Sequence, residues 1–239
     1  MGIMNGVIKE PRPSAPKGII YGPPGVGKTT FGANAEASII LDLENGAGSI
    51  NCQRTPYLET WSAAETWLEG VEKDDHQYKV LVVDSLDWLI RRIEEQVSGA
   101  VNSGSIASTL NKSHGGYGNG KQVMKNYIHR ILLPQFDRII TRGIAIVLLG
   151  HAKRTDITDV DGITIEKTAP DISDDYLNTF VEWSDFVCLA KCDIDGNRTL
   201  STTESNRALA KNRYSMPGEI GFTWDNFTGA IGAGLSEKF

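Results

Sequence analysis

The chain of 239 residues carries 24 basic and 30 acidic side chains, a net charge of −6, with 40% apolar and 23% charged residues. Those proportions suit one globular domain with a sizeable core, and they exclude indiscriminate coating of nucleic acid, so any such binding must come from a local patch. Three cysteines, an odd number, argue against a disulfide framework and read as reduced thiols. The longest apolar run, Ile144–Leu149, is too short to span a bilayer, and the opening Met-Gly-Ile-Met-Asn lacks a charged stretch feeding an apolar one. The expectation is a cytoplasmic protein without membrane contact.

Residues 1–16 hold three prolines and no periodicity, and read as a flexible arm ahead of the core. Lys17–Tyr21 is a short apolar strand. It delivers the chain into Gly22, Pro23, Pro24, Gly25, Val26, Gly27, Lys28, Thr29 and Thr30, a full G-x-x-x-x-G-K-T phosphate-binding loop followed by helix-compatible residues. Glycines let backbone N–H groups turn toward a phosphate, Lys28 supplies a full positive charge, and Thr29 offers a hydroxyl to Mg²⁺. ATP and Mg²⁺ are therefore the expected cofactors.

Ser38–Glu44 reads as a strand ending in acid, closed by an Asn45-Gly46 turn. Ligands of doubly wound sheets sit beyond the carboxyl ends of the strands, which brings Glu44 toward the crevice of Lys28. Ser62-Ala-Ala-Glu65 has capping-box spacing for a helix through Trp67, Leu68 and Val71, with its tryptophans expected in the core. Lys79–Asp84–Ser85 is an apolar strand ending in Asp, the arrangement that holds the water shell of Mg²⁺. A helix over Leu86–Val97 precedes Ser98–Gly120, too rich in Gly, Ser and Asn to pack as an element. Apolar spacing predicts an amphipathic helix over Lys121–Arg142 with a kink at Pro134. A buried strand, Ile144–Leu149, ends in Gly150-His151, and the excursion Ala152–Phe180 follows it. Asp185–Lys191 pairs with Arg198–Thr203 as a hairpin through Asp193–Asn197, whose glycine stands too early for a calcium loop. A last strand over Gly218–Trp224 leads to a tail at 226–239, leaving 17–225 as the core.

Ile-Leu-Asp-Leu-Glu44, Val-Leu-Val-Val-Asp84-Ser85 and Ala210-Lys-Asn-Arg213, in this order around the P-loop, resemble the RecA and replicative-helicase core over roughly residues 17–225. The short length, the strand ending in Gly-His151 and Ala-Lys-Asn-Arg-Tyr-Ser-Met-Pro look like bacteriophage-encoded, shortened RecA-like ATPases associated with single-strand annealing. The implied fold is an α/β RecA-like P-loop NTPase core: a mostly parallel sheet flanked by helices, with a C-terminal antiparallel hairpin. The resemblance also implies roles. Glu44 would activate the attacking water, Asp84 and Thr29 would hold the metal, and His151 would stand where recombinases usually carry a γ-phosphate-sensing glutamine. A histidine ending a buried strand serves as well as a satisfied core residue, and Tyr57 serves as adenine stacker or as packing. Lys211 and Arg213 would reach into the ATP site of an adjacent subunit in a ring or filament. The P-loop's own surroundings supply no such arginine, so hydrolysis is expected to await assembly.

Gln96–Phe136 contains no Asp or Glu, where the overall composition would place about five, and carries Lys112, Lys121, Lys125 and Arg130. In the resembled family this segment holds the first DNA-binding loop. Tyr117 offers a stacking platform beside His114, although a solvated turn gives the same pattern. The second loop would supply Lys153 and Arg154 from a segment in which acids outnumber bases. Single-stranded DNA is thus an expected partner, with a single-strand-binding protein a further one. Two other readings stay open: a small-molecule P-loop kinase with 98–120 as its lid, and a DNA-independent nucleotide-switched module of helicase-loader or packaging type.

Overall fold

The computed structural model describes residues 14–99, 110–158, 162 and 164–236. Five strands, Lys17–Gly22 (β1), Ser38–Asp42 (β2), Val80–Asp84 (β3), Ala145–Thr158 (β4) and, beyond Thr164–Pro170 (β5), Phe186–Cys192 (β6), build a parallel sheet in the order β2-β3-β4-β1-β6. These runs are continuously apolar because helices cover both faces, and successive side chains feed opposite cores. Ile19, Tyr21, Leu81, Val83, Ile146 and Leu148 enter one core. Ile20, Val82, Val147 and Leu149 enter the other.

Helices Trp61–Lys73 (α2), Leu86–Ser98 (α3), Asn119–Tyr127 (α4), Leu133–Thr141 (α5) and Asp174–Trp183 (α6) contribute to the first core. The second is closed by the P-loop helix Lys28–Ala33 (α1) and by Trp224–Ser236 (α7). Antiparallel strands Arg198–Ser201 (β7) and Glu219–Gly221 (β9) extend the sheet beyond β6, and the short Lys211–Asn212 (β8) pairs with the start of β6. The fold is thus the α/β P-loop architecture with a C-terminal antiparallel hairpin.

Four elements differ in detail from the sequence expectation. Thr60 caps α2, its Oγ1 accepting from Ala63 N at 3.2 Å, so the helix starts one residue before Ser62. Trp61 is buried with its Nε1 donating to Tyr127 Oη at 2.7 Å, whereas Trp67 is 38% exposed. The helix expected over 121–142 is two helices joined by a π-turn at Ile128–Leu132, immediately ahead of Pro134, whose missing N–H rules out a regular i→i−4 bond there. β4 runs on to Thr158 and folds back antiparallel with β5, so the excursion after His151 is a hairpin followed by α6.

The fourth difference is at the C-terminus, where 224–236 is a packed helix instead of a loose tail. Phe227 and Ile231, one turn apart, are buried, and Phe227 lies against Phe31 at 5.6 Å and Phe186 at 5.0 Å between ring centroids. Gly234 lets α7 approach so closely that a Cβ there would run into the carbonyl of Tyr214. No helix among the described residues is long and apolar enough to cross a membrane. Most of the expected N-terminal arm and the tip of the 98–120 loop lie outside the described residues.

Candidate functional site

Strand register gathers the site. Gly22 lies beside His151, Asp84 beside Leu149, and Asp42 beside Asp84, so the carboxyl ends of β1, β2, β3 and β4 finish at one edge of the sheet. A cavity of about 290 Å³ opens there, bounded by Lys28, Thr29, Glu44, Asp84 and His151, with Gly25 and Gly27 of the loop on its rim. Gly25 and Gly27 have φ of 77° and 100°, a left-handed conformation that side chains resist. Val26 turns into the core, and Thr30 remains in α1 with its carbonyl accepting from Asn34 N at 3.1 Å. Lys28 Nζ donates to the carbonyls of Gly22 and Pro23 at 2.9 and 3.0 Å. Burial pushes its pKa down, opposed by the charges of Asp84, Glu44 and Asp87.

Thr29 Oγ1 donates to Asp84 Oδ2 at 2.7 Å, which brings two hard oxygen donors together. Burial pushes the Asp84 carboxyl up to about 6, the Thr29 bond pulling the other way. A dry carboxylate of this kind gains most from a cation. Ser85 Oγ, next along the chain, is buried without a hydrogen-bond partner. No group of three or more His, Cys, Asp or Glu among the described residues could itself hold a metal. The pair therefore fits Mg²⁺, which is held by one or two protein oxygens together with waters and substrate phosphates.

Glu44 faces the cavity, while the carboxylate of Asp42 is committed elsewhere: its Oδ1 accepts from Asn45 N at 2.7 Å and fixes the turn after β2. Glu44 Oε1 stands 3.5 Å from His151 Nε2, an ion-pair separation. On its other side His151 Nδ1 meets Asp87 Oδ2 at 2.9 Å, and His151 N donates to Asp87 Oδ1 at 3.2 Å. The bond to Asp87 raises the imidazole pKa against the opposing effect of burial. Burial favours neutral Asp87, yet the His151 contacts outweigh it and hold that carboxyl below its ordinary range. His151 thus lines the cavity, 22% exposed, and does not lie in either core. Asp87, in the first turn of α3, carries no motif and was invisible in the sequence. Tyr57 takes the packing role: its Oη accepts from Arg92 Nη2 at 2.9 Å, and it does not line the cavity.

Lys211 and Arg213 lie away from this edge, because β8 pairs with the amino end of β6. Lys211 Nζ donates to the carbonyls of Val181 at 2.6 Å and Glu182 at 3.0 Å, and Arg213 pairs with Asp185 at 3.1 Å. The expectation that the P-loop has no arginine of its own needs correcting. Arg198, at the start of β7, puts its guanidinium so close to Gly27 that a Cβ there would stand 2.9 Å from Arg198 Nη1.

The residues expected to meet DNA do not form one open face. Lys121 and Lys125 both pair with the Asp175 carboxylate at 3.0 Å. Lys153 binds Asp174 Oδ1 at 3.0 Å and the Ile172 carbonyl at 2.7 Å, and Arg154 stands 3.6 Å from Glu166. The ring of His114 meets the Val97 carbonyl at 2.7 Å. Tyr117 is fully exposed and Lys112 is exposed. The acids of the excursion therefore face the expected DNA lysines. A larger cavity of about 610 Å³ opens across Pro23, between the β4–β5 hairpin and β6, with Lys153, Arg154, Lys191 and Arg207 on its walls.

Comparison with known proteins agrees with this geometry. A family model described as AAA domain matches residues 14–214. A stretch of 114 residues, 47% of the chain, is 33% identical to the Holliday junction branch migration complex subunit RuvB of Picosynechococcus sp.. The match covers 28% of that protein's length, so the chain spans less than a third of this relative.

Proposed function

The chain belongs to the AAA domain family of P-loop ATPases, and from that premise we propose an oligomeric, Mg²⁺-dependent ATPase that binds single-stranded DNA and promotes annealing or recombination. The RecA-type, bacteriophage annealing affiliation is part of this proposal, as is the ATP site at the subunit interface. One observation carries the ATPase reading. Lys28, Thr29, Asp84 and Glu44, drawn from three separate strand ends, converge on one cavity.

Lys28 would exchange its two loop carbonyls for phosphate oxygens, and Thr29 with Asp84 would hold Mg²⁺. When bound, the ion supplies positive charge to the β- and γ-phosphates. Glu44 would orient and deprotonate the attacking water, with the His151 imidazolium fixing its carboxylate. Loss of water from this cavity strengthens each of these contacts.

The DNA half of the proposal is supported by the acid-free stretch 96–136, by exposed Tyr117, and by the similarity to a subunit named for branch migration. A DNA-independent nucleotide-switched module is the second reading, favoured by the pairing of Lys121, Lys125 and Lys153 with Asp175 and Asp174. Measuring ATP hydrolysis with and without single-stranded DNA separates them: stimulation supports the first reading, DNA-indifferent turnover the second. Lys28→Ala should abolish nucleotide binding, whereas Glu44→Gln should bind ATP and lose most hydrolysis, on the order of 10²-fold or more. Hydrolysis near the wild-type rate in Glu44→Gln would remove Glu44 from the mechanism.

A further inference from the structure

We infer that Arg198 binds the phosphate chain of a nucleotide held in the P-loop of its own subunit, an assignment that rests on the ATPase reading above. Arg198 opens β7 opposite Cys192, the last residue of β6, and β6 runs parallel beside β1, whose final Gly22 begins the loop. Sheet topology thus brings together two residues far apart in the chain. The backbone at this point is locked on both sides. Asp193 Oδ1 accepts from Asp195 N and Asn197 N at 2.9 and 2.8 Å, its Oδ2 accepts from Asn197 Nδ2 at 2.9 Å, and the Arg198 carbonyl accepts from Phe222 N at 3.0 Å.

The guanidinium that this frame carries lies against Gly27, whose φ of 100° already disfavours a side chain there. It makes no hydrogen bond or ion pair to any described residue. Two other arginines, by contrast, are paired: Arg138 with Glu72 and Arg213 with Asp185. Asp193, five residues earlier in the chain, is committed to its own turn. The guanidinium and the Lys28 ammonium flank the same loop, so a phosphate chain held there would meet both charges. The guanidinium's fork of five donors matches the oxygens of a di- or triphosphate, and the hairpin fixes the backbone that presents it.

Calorimetric titration of the full chain with ATP and with ADP tests this. Wild type should bind both, Arg198→Ala should bind ATP about tenfold or more weakly, and Arg198→Lys should fall between, with nucleotide-free melting temperatures alike. If Arg198→Ala does not fold, Arg198→Lys and Arg198→Gln carry the same comparison. Equal ATP affinity in wild type and variant overturns the inference and leaves the ATPase reading standing. Wild type that binds no ATP overturns the ATPase reading itself, and this assignment with it. Mixing tests whose site Arg198 serves. Lys28→Ala subunits bring an intact Arg198 but no ATP site, so they should not restore hydrolysis to Arg198→Ala subunits. Restoration would place Arg198 in a neighbour's site and overturn the same-subunit assignment.

Discussion

Glu44, His151 and Asp87 form a row in which one imidazole stands between two carboxylates, and the row makes the site sensitive to pH. His151 has its pKa raised, so its contribution to stability is complete below the ordinary value of 6.5 and fades as pH rises through the raised folded value. Asp87 has its pKa lowered, so its contribution is complete above 3.8 and fades as pH falls through the depressed one. Both are present in the window between. Asp87→Asn should therefore lower the His151 pKa, read by NMR titration, and destabilise the chain by about 1–2 kcal/mol at pH 5.5 and by less at pH 9 in urea denaturation. An unmoved His151 pKa would show that Asp87 does not hold the ring. That Glu44, Asp84, Thr29 and the P-loop meet at one cavity was legible in the sequence because each follows a strand in a fixed local pattern. Asp87 and Arg198 were not, since one meets its partner across β3 and β4 and the other across β1 and β6, and neither spacing leaves a local trace.

At the scale of elements, α4 and α6 meet through the carboxylate of Asp175, which two lysines hold well below its ordinary pKa. Lys121, Lys125 and Asp175 are each about a third or more exposed, so the bridges themselves contribute little, roughly 0–1 kcal/mol. Asp175→Asn should accordingly leave the melting temperature almost unchanged while raising affinity for single-stranded DNA and steepening its salt dependence, because two cations gain freedom to displace counterions. The triple variant Lys112→Ala, Lys121→Ala, Lys125→Ala should weaken binding. Unchanged affinity in both variants would separate this surface from DNA. The sequence showed the acid-poor stretch and the acidic excursion separately, and only the fold shows that one neutralises the other. Helix α7 was hidden for a related reason: the one-turn apolar pair Phe227 and Ile231 is diluted by five glycines and alanines, and the segment reads as helix only once Phe227 packs against Phe31 and Phe186.

For the whole molecule the question is which contacts come from a neighbour. Lys211 and Arg213 lie at the amino end of β6, away from their own P-loop, and such a position suits a role in an adjoining subunit. ATPase activity per subunit should then rise with protein concentration. A finger supplied in trans is typically worth ~10³ to 10⁵ in rate. Arg213→Ala and Lys28→Ala subunits, each nearly inactive alone, should regain part of the activity when mixed, since some Arg213→Ala sites will face an intact Arg213. No recovery despite demonstrated co-assembly would exclude that role and leave Arg198 as the arginine at the site.

The length of β4 has a mechanical meaning. Its backbone passes from the buried sheet through His151 into the hairpin with β5 as one strand, and His151 and Lys153, two positions apart, point to the same side of the strand. If an arriving phosphate moves the imidazole, this shared strand would carry the movement toward the ammonium that grips Ile172 and Asp174 at the entrance to α6. The hairpin would then answer to the nucleotide through a single uninterrupted piece of chain, which amide exchange of β4 and β5 with and without ATP reads.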